Sequence, residues 1–139
     1  MRGDEQRVVD AFCAWLEADG WAVTREAEYV DVVATKDGTT IYAEAKGRTT
    51  SPGLDVDTMY GQLLRRMGDD PRPRARYAVV VPDTALKAAK RVPTWVRSRL
   101  AIDVYAVHED GWVELHGSTA LTDPDNQAWV RVDPQEDGQ

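Results

Sequence analysis

The sequence has one cysteine, one phenylalanine, two histidines and no long apolar run. A single thiol, Cys13, cannot close an internal disulfide, and without a Cys-x-x-Cys pair or a Cys/His cluster no zinc site is expected. Cys13 falls on an apolar helical stretch and reads as a buried structural thiol rather than a reactive one. No segment approaches the roughly 20 apolar residues of a membrane span. Residues 1–6 lack the apolar core of a secretory signal. The expectation is a soluble, cytoplasmic chain with no membrane partner. His108 and His116 have no matching partner set in the sequence and receive no role.

What is present suffices for one domain, because 139 residues can bury a core without disulfide staples. The net charge of −7 argues at first against a nucleic-acid partner. The charge is unevenly spread, however. Residues 46–99 hold twelve Lys/Arg and five acids, a net of +7, and the remainder carries −14. The basic stretch has two readings: a surface for phosphates, or ordinary solvated helix faces.

Val8, Val9, Phe12 and Leu16 recur at helical spacing and predict a first helix over 4–18, ended by Asp19 and Gly20. Strands are expected over 21–24, 29–34 and 40–46, the last two joined by a hairpin turn at Lys36, Asp37 and Gly38. A second helix is expected over 57–67, capped by Asp55 or Asp57. The apolar run 77–81 reads as a strand buried on both faces. A third helix over 83–90 capped by Asp83, a short helix over 94–100, and strands over 102–107 and 112–115 complete the domain. Hairpins first and helical crossovers later predict an α/β fold with a mixed central sheet flanked by helices. The domain is assigned to residues 1–118. An acidic C-terminal tail over 119–139 follows, with one short strand near 128–132.

The chemistry gathers on two of these strands. Tyr42, Glu44 and Lys46 share one strand face, and Asp31 interrupts an otherwise apolar strand. If the hairpin pairs the two strands, its register can set Asp31 beside Glu44. Two adjacent carboxylates repel, and burying them unpaired is expensive. A divalent cation resolves this, and Mg²⁺ is typically held by one or two carboxylates plus water and phosphate oxygens. Taken singly, Asp31, Glu44 and Lys46 read as strand-end or solvent-facing residues. Together they read as a site.

The chain resembles the PD-(D/E)xK nuclease superfamily, of restriction-endonuclease-like αβββαβ fold, nearest to its Holliday-junction resolvase and Mrr-like branch. The residues that carry the likeness are Glu5, Gly20 and Trp21, Asp31 within residues 29–34, Glu44, Ala45 and Lys46, and Gly61, Gln62 and Leu63, over roughly residues 4–107. Val30 stands where the motif's name has proline. The resemblance implies Asp31, Glu44 and the Ala45 carbonyl as ligands of Mg²⁺ or Mn²⁺. It implies Lys46 at the attacking water or the growing phosphate charge, and Glu5 and Gln62 as supporting catalytic residues. Glu5 lies three, four, seven and eleven positions before Val8, Val9, Phe12 and Leu16, hence on the buried stripe. It reads equally as a first-turn glutamate favouring the helix dipole. Gln62 also reads as an exposed helix residue.

Arg48, Arg65, Arg66, Arg72, Arg74 and Arg76 are phosphate-contact candidates, each by itself also an ordinary surface arginine. Trp95, Trp112 and Trp129 read as core or interface packing rather than as base-stacking platforms. The expected function is a metal-dependent endonuclease acting on DNA. A homodimer would supply the two sites that symmetric cutting needs, and with no sequence-reading module visible a protein partner could supply targeting. The rivals are a non-catalytic nucleic-acid-binding module and a protein-interaction module whose acidic surface engages a basic partner.

Overall fold

A computed structural model of the chain describes residues 2–117. The tail over 119–139, with its expected strand and Trp129, lies outside the described residues. Helix α1 (Arg2–Ala18) precedes strands β1 (Ala22–Ala27), β2 (Val30–Lys36) and β3 (Thr39–Ala45). Helix α2 (Pro52–Arg66) leads to β4 (Ala75–Pro82). A 3-10 turn (Asp83–Ala85), α3 (Leu86–Ala89) and α4 (Thr94–Leu100) lead to β5 (Ile102–Val107) and β6 (Val113–His116).

The six strands form one open mixed sheet in sequence order. β1, β2 and β3 are antiparallel, β3, β4 and β5 are parallel, and β6 returns antiparallel to β5. The parallel steps follow from chemistry: a two-residue turn reverses a chain, whereas a parallel neighbour needs a crossover. Asp37 and Gly38, both at positive φ, form the tight turn between β2 and β3. The helical segments after β3 and β4 form the crossovers.

Strand alternation divides the core in two. Val32, Ala34, Ile41, Ala43, Ala45, Ala78, Val80, Tyr105 and Val107 meet Val8, Phe12, Cys13 and Leu16 of α1. The four alanines leave room for the larger helix side chains. Tyr77, Val79, Val81, Ile102 and Val104 face the other way, onto Val56, Met59, Tyr60 and Leu63 of α2. The 77–81 run is therefore apolar throughout because helices cover both faces. Cys13 is buried, as expected.

Several expectations need correction. α2 begins at Pro52, five residues before the expected start, and neither Asp55 nor Asp57 caps it. Proline suits the first helical position, where its missing N–H has no partner to lose. Asp55 instead accepts a hydrogen bond from the Thr49 hydroxyl. The expected third helix is a 3-10 turn followed by one α turn, and Asp83 does not cap it. Trp95 and Trp112 are 65% and 57% exposed, so neither is a core residue. The Arg99 guanidinium stands 5.6 Å from the Trp95 ring, and Trp112 leans on His108, ring centres 4.7 Å apart.

Candidate functional site

β2 and β3 pair as far as Val32 opposite Ala43. One step further along that register, Asp31 stands opposite Glu44, and there the backbone ladder gives way to a side chain. The Ala45 amide donates to Asp31 Oδ2 at 2.8 Å. Asp31 thus fills the acceptor role that the next backbone carbonyl would have played.

Glu44 is buried, only 7% exposed. Burial pushes its carboxyl up to about 7, and the negative charge and hydrogen bond of Asp31 push the same way. Arg66 of α2 opposes the shift and Glu5 adds to it. Glu44 therefore holds its proton well above the usual carboxylate range.

Glu5 reaches this end of the sheet because Gly47 lets it. A Cβ built on Gly47 would lie 2.4 Å from the Glu5 nitrogen and 2.8 Å from its Cα. The chain leaving β3 thus runs against the backbone of the first turn of α1. Asp4 fastens that contact by accepting from the Arg48 amide, the main cause holding its carboxyl below the usual range; it also pairs with Arg7 at 3.0 Å. A cleft of about 170 Å³ opens there, lined by Glu5, Gln6, Val9, Arg25, Glu26 and Asp31.

Lys46 follows Glu44 on the same strand face and is half-buried. Its amide donates to the Val80 carbonyl at 3.0 Å, which continues the parallel ladder past β3. Gln62 is half-buried on α2, one turn before Arg66. Arg66 is itself fixed by a 3.1 Å hydrogen bond from its Nε to the Tyr29 carbonyl. Asp31, Glu44, Glu5 and Arg66 are therefore gathered around one point.

The remaining arginines are dispersed. Arg76 is buried in a bidentate pair with Asp103, at 2.9 and 2.7 Å, and is no surface phosphate contact. Arg74 is spent on the β2–β3 turn, donating to the Asp37 carbonyl at 2.7 Å and the Thr39 hydroxyl at 3.1 Å. Arg76 stands level with Ile41, and Glu44 with Val79, so Arg74 and Arg76 belong to the opposite end of the sheet. Arg48 pairs with Glu109. Arg72 lies over the Tyr42 ring at 5.0 Å. Arg65 is exposed on α2. The basic stretch is thus not one surface, because linear clustering cannot say which end of a strand each residue occupies.

Sequence reasoning missed two features. Glu26 and Tyr29 flank the site on the β1–β2 hairpin, where no Gly or Asn signals a turn. The histidines do find partners. His108 reaches Asp83 at 3.2 Å and Glu114 at 2.7 Å, and His116 lies 3.3 Å from Glu114 and 3.4 Å from Lys90. These residues come from separate elements, so no local spacing announces them. Among the described residues, no group of three or more His, Cys, Asp or Glu side chains is placed to hold a metal ion. No helix among them is long and apolar enough to cross a membrane.

Comparison with family models, curated proteins and solved structures finds no match to this chain.

Proposed function

We propose that this protein is a metal-dependent nuclease that hydrolyses phosphodiester bonds in DNA, on a restriction-endonuclease-like core. The observation that carries the reading is the Asp31–Glu44 pair, in which a buried Glu44 keeps a proton up to about 7 beside a second carboxylate. A fold gains nothing in stability from such a pair. A hard cation gains two oxygen ligands from it.

The donor set fits Mg²⁺ or Mn²⁺ better than a soft metal. Asp31 and Glu44 would hold the ion with the Ala45 carbonyl, and water would fill the remaining positions, as Mg²⁺ tolerates. Bound there, the ion would polarise a phosphate oxygen and acidify a water. Lys46 stands at the end of the same strand face to neutralise charge growing on the phosphate. Glu5 faces the cleft as an outer carboxylate. Arg66 limits the repulsion on Glu44, and Gln62, one turn before it on α2, would orient Lys46 or a phosphate.

The test is cleavage of plasmid and branched DNA in Mg²⁺, Mn²⁺ or EDTA, with Asp31→Ala and Lys46→Ala beside wild type. Cutting that needs metal and disappears in both variants is the expected result. Binding without cutting in any metal would favour a non-catalytic module on the same fold. Undiminished cutting by both variants would remove these residues from the site.

A further inference from the structure

The β1–β2 hairpin has the wrong residues for its shape. Ala27 pairs with Val30, which leaves Glu28 and Tyr29 as the two central turn residues. Both are left-handed, at φ 52° and 67°, and Glu26 before them is at φ 52°. A two-residue turn with both φ positive is the type I′ hairpin, which Asn and Gly adopt readily and bulky residues do not. The chain uses the favourable sequence elsewhere: Asp37 and Gly38 make the next hairpin.

The core gains nothing from this strain, since Tyr29 is 85% exposed. The turn is nevertheless held firmly. Arg66 Nε donates to the Tyr29 carbonyl at 3.1 Å, and its guanidinium lies 5.5 Å from the Tyr29 ring. Tyr29 precedes Asp31 by two residues, about 7 Å along an extended strand. The same Arg66 acts on the charge of Glu44. A strained, clamped and exposed aromatic beside a buried Glu44 and a half-buried Asp31 is the pattern of a device that positions a ligand.

We propose that Tyr29, clamped by Arg66, is a stacking platform for an unpaired nucleobase next to the phosphate that enters the Asp31–Glu44 site. The inference rests on the nuclease reading and narrows its substrate to DNA that is single-stranded or splayed at the cut. A nucleobase suits the surroundings better than an apolar protein patch: Tyr29 is a lone aromatic among Glu26, Glu28 and Arg66. Glu26, which lines the cleft beside Asp31, and the exposed Glu28 repel phosphates, so the strand backbone runs on the Arg66 side. Tyr29 is a positioning residue and takes no part in bond breaking.

The test uses the whole chain in EDTA with two fluorescent strands of about 20 nucleotides, one oligothymidine and one made of abasic sites. Tyr29→Ala should weaken oligothymidine binding about five- to a hundredfold, the range for losing one base stack, and leave the abasic strand unaffected. Tyr29→Phe should bind as wild type. Tyr29→Gly should bind as weakly as Tyr29→Ala while keeping a Tm at or above wild type, because glycine accepts the left-handed backbone. Equal loss on both strands, no loss on either, or a Tm fall in Tyr29→Gly overturns the platform. If wild type still cuts DNA in Mg²⁺ or Mn²⁺ under that outcome, the nuclease reading stands and only the platform falls. If wild type neither binds nor cuts DNA, both fall.

Discussion

Gly47 and Glu5 are in backbone contact: a Cβ on Gly47 would stand 2.4 Å from the Glu5 nitrogen. The obstacle is backbone rather than the end of a flexible side chain, so it cannot turn aside. Gly47→Ala should therefore push the first turn of α1 away from the end of β3. Overpacking of this kind costs about 1–3 kcal/mol. Urea unfolding should read that loss, and DNA cleavage should fall further than stability because Glu5 leaves the cleft. A Gly47→Ala protein with wild-type stability and activity would mean the contact is looser than it looks.

The Asp31–Glu44 pair sets a pH dependence with a definite sign. Glu44 is raised from its ordinary 4.5 to about 7 in the folded protein. Between those values the folded state keeps a proton that the unfolded chain releases. Stability should therefore fall as pH rises from 4.5 to 7 and level off above, by up to about 3 kcal/mol, less as water in the cleft screens the pair. Asp31→Asn keeps an oxygen for the Ala45 amide and removes the repelling charge. It should be more stable than wild type at pH 8, nearly equal at pH 4, and unable to cut DNA. Denaturant titrations across pH in EDTA, with a flat profile for wild type, would sink this account.

Arg76 and Asp103 supply a contrast with the site. Their pair is buried at the opposite end of the sheet. Asp103→Ala should cost about 3–5 kcal/mol, since it leaves a buried guanidinium without its carboxylate. The same change should leave the salt dependence of DNA binding unaltered, whereas Arg66→Ala should make it shallower. A shallower slope in Asp103→Ala would bring that end of the sheet into the nucleic-acid surface.

Much of this was legible in the sequence where one element fixes its own structure. The stripe of Val8, Phe12 and Leu16 gave α1, and Asp37 and Gly38 gave the hairpin that sets Asp31 opposite Glu44. Features made by distant elements were not. Gly47 looks like any loop glycine until α1 is laid across it. Arg66 and Arg76 look alike until one is placed beside Glu44 and the other at the opposite end of the sheet with Asp103. Tyr29 was hidden because its turn has none of the residues that announce one. The six-stranded mixed sheet matches the expected class. Membership of the restriction-endonuclease-like family remains the proposal made above, carried by the same two carboxylates.

Metal binding offers a test that does not require cleavage. A cation that binds only the folded protein raises stability by RT ln(1 + [L]/Kd), about 2.7 kcal/mol at a hundredfold excess over Kd. Mn²⁺ should raise the Tm of wild type at pH 8 and should not raise that of Asp31→Asn or Glu44→Gln. Binding must also displace the proton that Glu44 holds up to about 7. Affinity should then fall roughly tenfold for each pH unit below that point, and Mn²⁺ uptake at pH 6 should release about one proton. Calorimetry in two buffers of different ionisation heat counts it. Lys46→Met should still bind Mn²⁺, because the ammonium is assigned to the phosphate rather than to the metal. A wild-type Tm that ignores Mn²⁺ at pH 8 would separate the carboxylate pair from any metal and take the nuclease mechanism with it.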